Sequence, residues 1–235
     1  MENYNEYNRD SNPYPSYGKK YEGEKSIISL TSWKARIKTV YKTLFSLIDK
    51  CPGFHIVLVL SEEEFPKMCE ELPENLMLFV ENEMIELLWV YKNYKSFKKV
   101  LFTMDKYRSV PVISADDDCM YIENYAEKLY NKWNEHKGLG AIRLEKGRFK
   151  QMQGPSSLYY IGDLIEKILP SLNEDIIKKS EDDVVLYNIM KQLGISVNFV
   201  YRCIHKPYVF HDTIKPLHSN SSFLNMPEFR HCFRR

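Results

Sequence analysis

Three consecutive carboxylates, Asp116, Asp117 and Asp118, close a short apolar run, VPVISADDDCMY, that reads as a buried strand. In extended backbone, residues i and i+2 share a face, so Asp116 and Asp118 point together and Asp117 points the other way. Two oxygens converging on one point suit a hard divalent cation, Mn²⁺ or Mg²⁺, which leaves its remaining positions to water and substrate phosphates. The chemistry implied is a metal-dependent reaction on a diphosphate. Asp is also a turn former, and a DDD run equally suits a solvated loop that caps the next helix. Context favours the site: an amphipathic pattern follows, with Ile122, Tyr125, Ala126, Leu129, Tyr130 and Trp133 on one face. In open α/β sheets, ligands bind beyond the carboxyl ends of strands, which is where the triplet falls.

The elements that must position these carboxylates alternate strand and helix from Ser26 onward, the pattern of a mainly parallel α/β sheet. SIISL is a first strand, followed by a helix with Val40, Leu44, Leu47 and Ile48 on one face. HIVLVL is a second strand, SEEEFPKM a short helix, Leu72 to Glu83 a loop, and IELLWV a third strand. Phe97, Val100, Leu101 and Met104 mark the helix that leads into VPVIS. Beyond it come a strand at LGAIR, a hairpin through EKGR, helices near Leu158 to Leu169 and Asp182 to Leu193, and a strand at SVNFV.

A chain of 235 residues has room for one substantial domain, assigned to residues 26–235. Residues 1–25, rich in Asn, Tyr, Glu, Gly and Pro without apolar period, read as a flexible tail whose removal leaves stability unchanged. With 33 basic against 32 acidic residues, no global field argues for nucleic acid. Five cysteines, odd in number and without a C-x-x-C pair, speak against a zinc site and a disulfide framework. No segment approaches the ~18 apolar residues of a membrane span, and the amino terminus lacks the apolar core of a signal peptide. The expected location is the cytoplasm, free or peripheral at the inner face of the cell membrane. The closing FRHCFRR is a basic and aromatic cluster too short for stable anchoring.

Five ordered pieces resemble the GT-A-fold glycosyltransferases of bacterial surface-polysaccharide pathways. ISLTSWKARI is similar to that family's first strand and nucleotide-binding loop, and IVLVLSEEEFP to its second strand. YKSFKKVLFTM resembles its lysine-bearing helix, ISADDDCMY its metal-binding D-x-D segment, and SEDDVVLYNIMKQLGI the acidic helix that closes the acceptor side. The resemblance implies a GT-A-type, Rossmann-like mixed sheet flanked by helices. It also implies a nucleotide-diphosphate-sugar donor and a saccharide or lipid-linked acceptor. Asp116 and Asp118 become the metal ligands, with His218 as a third from the carboxyl-terminal segment. Thr31, Arg36, Lys98, Lys99, Asp116, Asp117 and Gly154 become donor-contacting residues. Asp182 becomes the base that takes the acceptor proton, with Glu181 and Asp183 beside it. Ser180 and Asp183 also fit a capping-box-like helix start, which leaves Asp182 unassigned.

Other classes fit parts of the pattern. A phosphatase would use Asp116 as nucleophile, but Cys119, Met120 and Tyr121 follow where such enzymes usually carry a small hydroxyl or β-branched residue. A metal-dependent nucleotidyltransferase would use the same carboxylates and release a different product. A catalytically silent carbohydrate-binding module would suit the 14% aromatic content, but has no physical reason to keep two clusters of crowded charge.

Overall fold

Runs of apolar, often β-branched residues buried on both faces build the centre of the sheet. In the computed structural model, which describes residues 14–136, 140–143, 158–159, 166, 168–194, 197–200 and 205–207, four strands there run parallel. They are β2 (Ile27–Thr31), β3 (His55–Ser61), β4 (Glu86–Val90) and β5 (Val112–Ser114). Their order is β4-β3-β2-β5, so the chain leaves β2 to build β3 and β4 on one side and returns to place β5 on the other. This reversal makes the gap between the ends of β2 and β5 a topological switch point.

Antiparallel strands complete the sheet. β1 (Ser16–Gly18) lies on the free edge of β4, and β8 (Leu158–Tyr159) pairs β5 and β7 (Gly140–Arg143), beyond which β9 (Val197–Val200) runs parallel to β7. A separate ribbon joins β6 (Cys119–Tyr121) to β10 (His205–Pro207). The fold is thus α/β, a mixed and mainly parallel sheet flanked by helices.

Strand alternation sends the two faces into two cores. Ile28, Leu30, Leu58, Leu60 and Trp89 pack under α1 (Val40–Lys50), α2 (Glu74–Glu81) and α4 (Tyr125–His136). Ile27, Val57, Val59, Leu88 and Val90 meet α3 (Lys98–Lys106) and α6 (Asp182–Gln192), which follows the short α5 (Glu174–Lys179). Three local expectations change. Leu76 and Val80, four residues apart, bury as one helical face, so α2 stands where a loop was expected. SEEEFPKM forms turns leading to a 3₁₀ turn at Met68–Glu71, and Leu158 and Tyr159 lie in a strand. Among the described residues, no helix is long and apolar enough to cross a membrane.

The expected flexible tail, residues 1–25, is corrected from Tyr14 onward; residues 1–13 lie outside the described residues. Tyr14 is buried edge-on against Phe102, and its hydroxyl donates to Asp105 Oδ2 at 2.8 Å. β1 then satisfies the backbone edge of β4, a contribution that apolar periodicity does not register. Past the strand, the segment closes over a buried polar cluster at the amino-terminal ends of β3 and β4. There His55 Nε2 lies 2.6 Å from Glu86 Oε2, while Lys106 and the Tyr107 hydroxyl also donate to Glu86. Burial alone raises the Glu86 carboxyl, but these donors outweigh it and hold it at about 2.

Gly18 is the point of closest approach. Its φ is +85°, and an added Cβ would sit 2.4 Å from Ile85 O and 2.9 Å from Val80 O, both backbone atoms. Gly18→Ala is therefore expected to cost about 2 kcal/mol, a melting-temperature drop of roughly 4–8 °C for a chain of this size. Thermal unfolding followed by circular dichroism checks this, and an unchanged midpoint would free the segment from the domain.

Candidate active site

The switch point is tied together by one buried ion pair. Beyond β2, Ser32 Oγ donates to Asp117 Oδ2 at 2.6 Å and Arg36 Nη1 donates to Asp117 Oδ1 at 2.7 Å. The same guanidinium nitrogen lies 2.9 Å from Asp118 Oδ2. Burial opposes the Arg36 charge, but Asp117 and Asp118 outweigh it and keep the group firmly cationic. Burial likewise raises the Asp117 carboxyl, against the pull of Arg36 and Ser32. Asp117 thus faces inward, held by these partners and not by strand alternation, because β5 ends at Ser114 and Asp117 and Asp118 form a turn. Asp117 and Arg36, both expected to contact the donor, are paired with each other.

The backbone of the triplet is fixed by hydroxyls. Thr43 Oγ1, on the buried face of α1, donates to the carbonyls of Asp117 and Cys119 at 2.9 and 3.0 Å. The Asp116 N–H donates to the Tyr121 hydroxyl at 2.8 Å, and the Tyr125 hydroxyl donates to Ser114 O at 2.7 Å. The sequence carried a signal for Thr43, a polar residue three after Val40 and four before Leu47 on an otherwise apolar stripe. Ser32 and the two tyrosine hydroxyls had none.

The two lysines that open α3 diverge, because consecutive helical residues are turned by about 100°. Lys98 points to the β3–β4 side, donating to Asn93 Oδ1 at 2.7 Å and lying 3.6 Å from Glu64. Burial pulls its ammonium down to about 8, with Glu64 opposing. Lys99 points to the β5 side, 2.7 Å from Asp116 Oδ1 and 3.3 Å from Asp182 Oδ2. Burial opposes its charge too, but Asp116 and Asp182 raise it well above the ordinary lysine value. Both lysines, expected to contact the donor diphosphate, are buried, each with its ammonium held by protein oxygens. The Thr31 hydroxyl, also expected beside the nucleotide, is spent on Val59 O at 2.7 Å.

Asp182 is the first residue of α6, and Lys99 brings it to the triplet 64 to 66 residues earlier in the chain. No side-chain cap bonds at this helix start; Ser180 instead ends α5, so the expected capping box is not formed. α5 is itself clasped to the loop after β4, through Lys92 with Glu174 at 2.9 Å and Lys95 Nζ donating to Lys178 O. Gly154 and His218 lie outside the described residues.

The outward carboxylates fit a hard divalent cation. Asp116 and Asp118 keep side chains 31% and 24% exposed, and each commits one oxygen to a cation, while Asp118 Oδ1 takes only the weak Cys119 thiol contact. Ligand atoms of Asp116, Asp118 and Cys119 lie within 4.8 Å of one another. Burial and the two carboxylates push the Cys119 thiol up, so it stays protonated, 3.7 Å from Asp118 Oδ1. That leaves an all-oxygen pair, the donor set that Mn²⁺ and Mg²⁺ take.

No protein-family model matches the chain, and no curated protein sequence matches it. Solved structures do. 4-Diphosphocytidyl-2C-methyl-D-erythritol synthase aligns over 77% of this chain and 90% of its own, at 11% identity and a TM-score of 0.51. S. aureus TarS aligns over 77% of this chain at 12% identity and a TM-score of 0.50. What they share is the fold. The chain spans 35% of that TarS structure, and 60% of its 1–349 fragment at a TM-score of 0.49. The α/β class implied by the sequence, a GT-A-type Rossmann-like sheet, is the one observed.

Lys98 offers a pH test. A lysine whose folded pKa is depressed is released from its cost as pH rises, because the unfolded chain holds the proton between about 8 and the ordinary lysine value. Lys98→Met is expected to exceed wild type in stability at pH 7 and converge with it towards pH 10. Urea unfolding across that range checks this, and a constant difference would show that Lys98 does not titrate in this window.

Proposed function

We propose that the chain is a metal-dependent glycosyltransferase that moves a sugar from a nucleotide-diphosphate-sugar donor to a saccharide or lipid-linked acceptor. The observation that carries this reading is the gathering of Asp116, Asp118 and Asp182 at the switch point, two outward carboxylates and one helix-start carboxylate linked by Lys99. Asp116 and Asp118 would hold Mn²⁺ or Mg²⁺ through their other oxygens. When bound, such an ion supplies Lewis-acid stabilisation of the departing diphosphate. Arg36 holds Asp118 through Oδ2, and Lys99 holds Asp116 through Oδ1. Asp182 accepts the acceptor hydroxyl proton as the new glycosidic bond forms. The structural likeness to a synthase whose name carries a diphosphocytidyl group supports a nucleotide-linked donor.

A nucleotidyltransferase is the second reading, supported by the same likeness, and the released product separates the two. Incubation with a panel of nucleotide sugars and Mn²⁺ is expected to release nucleoside diphosphate. Asp118→Asn should remove at least 99% of this turnover while keeping the wild-type circular dichroism spectrum, because it deletes metal-binding charge and opens no core cavity. Excess EDTA should weaken donor binding in calorimetry. Metal-dependent turnover retained by folded Asp118→Asn would defeat the assignment.

Asp182→Asn should lower kcat by about 10²-fold or more with donor affinity nearly unchanged, since a base acts on the acceptor proton in the transition state. Measuring kcat, donor Kd and Tm on one preparation checks it. Near-normal kcat would leave Asp182 as only the partner of Lys99.

A further inference from the structure

Lys99 is the least expected cation in the molecule. It is sealed from solvent, its side chain only 5% exposed, and it sits between the carboxylate assigned to the metal and the one assigned to proton transfer. A lysine that served the substrate directly would need a path to it. Lys99 has instead both its charge partners within the protein.

The local charge balance gives this placement a purpose. Among the described residues, the ion pairs of the site set the carboxylates of Asp116, Asp117, Asp118 and Asp182 against the cations Arg36 and Lys99, four against two. A divalent ion would offset this excess, but it would have to bind Asp116 through the oxygen opposite an ammonium already 2.7 Å from its partner oxygen. A like charge within ~4–6 Å disfavours binding strongly, by an order of magnitude or more. A diphosphate brings its own negative charge and offsets that repulsion.

We propose that Lys99 is a built-in counter-cation that keeps affinity for a bare divalent ion low, so that the ion is retained only together with a diphosphate. The inference rests on Asp116 and Asp118 being the cation ligands. It makes Lys99 a positioning residue that holds Asp116 and the first turn of α6 in one arrangement. The same contact links the metal side of the site to the acceptor side.

The test titrates Mn²⁺ alone into the full chain by calorimetry, comparing wild type, Lys99→Met and Lys99→Arg, with hydrogen exchange of residues 180–186 read on the same samples. Lys99→Met is expected to bind bare Mn²⁺ about tenfold more tightly than wild type, while exchange at the start of α6 accelerates. Lys99→Arg, which keeps the charge, should stay within about twofold of wild type. A residue that only supported the fold would lower Mn²⁺ affinity when removed. Equal or weaker Mn²⁺ binding by folded Lys99→Met therefore overturns the proposal. Should that variant not fold, Lys99→Met/Asp182→Asn removes the stranded carboxylate along with the ammonium, and its Mn²⁺ affinity is compared with that of Asp182→Asn; the same tenfold rise is expected, and its absence overturns the proposal. If no protein binds Mn²⁺, even with pyrophosphate present, the assignment of Asp116 and Asp118 fails and takes the inference with it. Binding by wild type that Lys99→Met weakens removes the inference alone.

Discussion

The ion pair between Arg36 and Asp117 is the constraint around which the site is arranged. Taking a guanidinium and a carboxylate out of water is costly, and such pairs are often no better for stability than well-packed apolar residues. Its value here is geometric. Arg36 comes from the segment after β2 and Asp117 from the segment after β5, so the pair fixes the separation of two strand ends where the chain reverses direction. Arg36 and Ser32 draw Asp117 inward, and the second contact of Arg36 holds Asp118 beside it in the turn that follows β5. One guanidinium thus holds the buried Asp117 and the partly exposed Asp118 together, while Asp116 is held by Lys99.

Much of this was legible in the sequence. The parallel strands follow from β-branched apolar runs, whereas the extended backbone expected through the aspartates is replaced by a turn at Asp117 and Asp118 after β5 ends at Ser114. What stayed hidden depends on partners distant in sequence. The bond of Thr43 to Asp117 spans 74 residues and that of Ser32 spans 85, and no local pattern encodes either. β1 and β10 are three residues each, too short to show a period. The surroundings of Lys98 and Lys99 were hidden too, because their carboxylate partners, Glu64, Asp116 and Asp182, lie between 17 and 83 residues away.

The two ends of the sheet handle buried charge differently. At the amino-terminal ends of β3 and β4, Glu86 collects donors from His55, Lys106 and Tyr107 and is closed beneath the strand segment that precedes β2. At the carboxyl ends, the carboxylates of Asp116 and Asp118 each retain an oxygen not held by a cation, and both remain partly exposed. Saturation at one end suits permanence, and incomplete saturation at the other suits exchange with ligands. The contrast follows from donor supply and from depth, since Glu86 is buried while Asp116 and Asp118 are partly exposed.

The pairing of β1 with β4 also has a consequence for synthesis. Ser16 pairs with Leu88 and Gly18 with Glu86, so the strand leaves the ribosome about seventy residues ahead of its partner. Throughout that interval its hydrogen-bonding groups have only water or the wrong strand to meet, and β2 and β3 become available before β4 does. Because β1 is short and its tight contact is made by a glycine against Ile85 and Val80, it offers little to an incorrect partner. The β4 edge of the parallel sheet is thus closed by a strand made before any of the parallel strands, which delays its capture until the sheet it must fit exists.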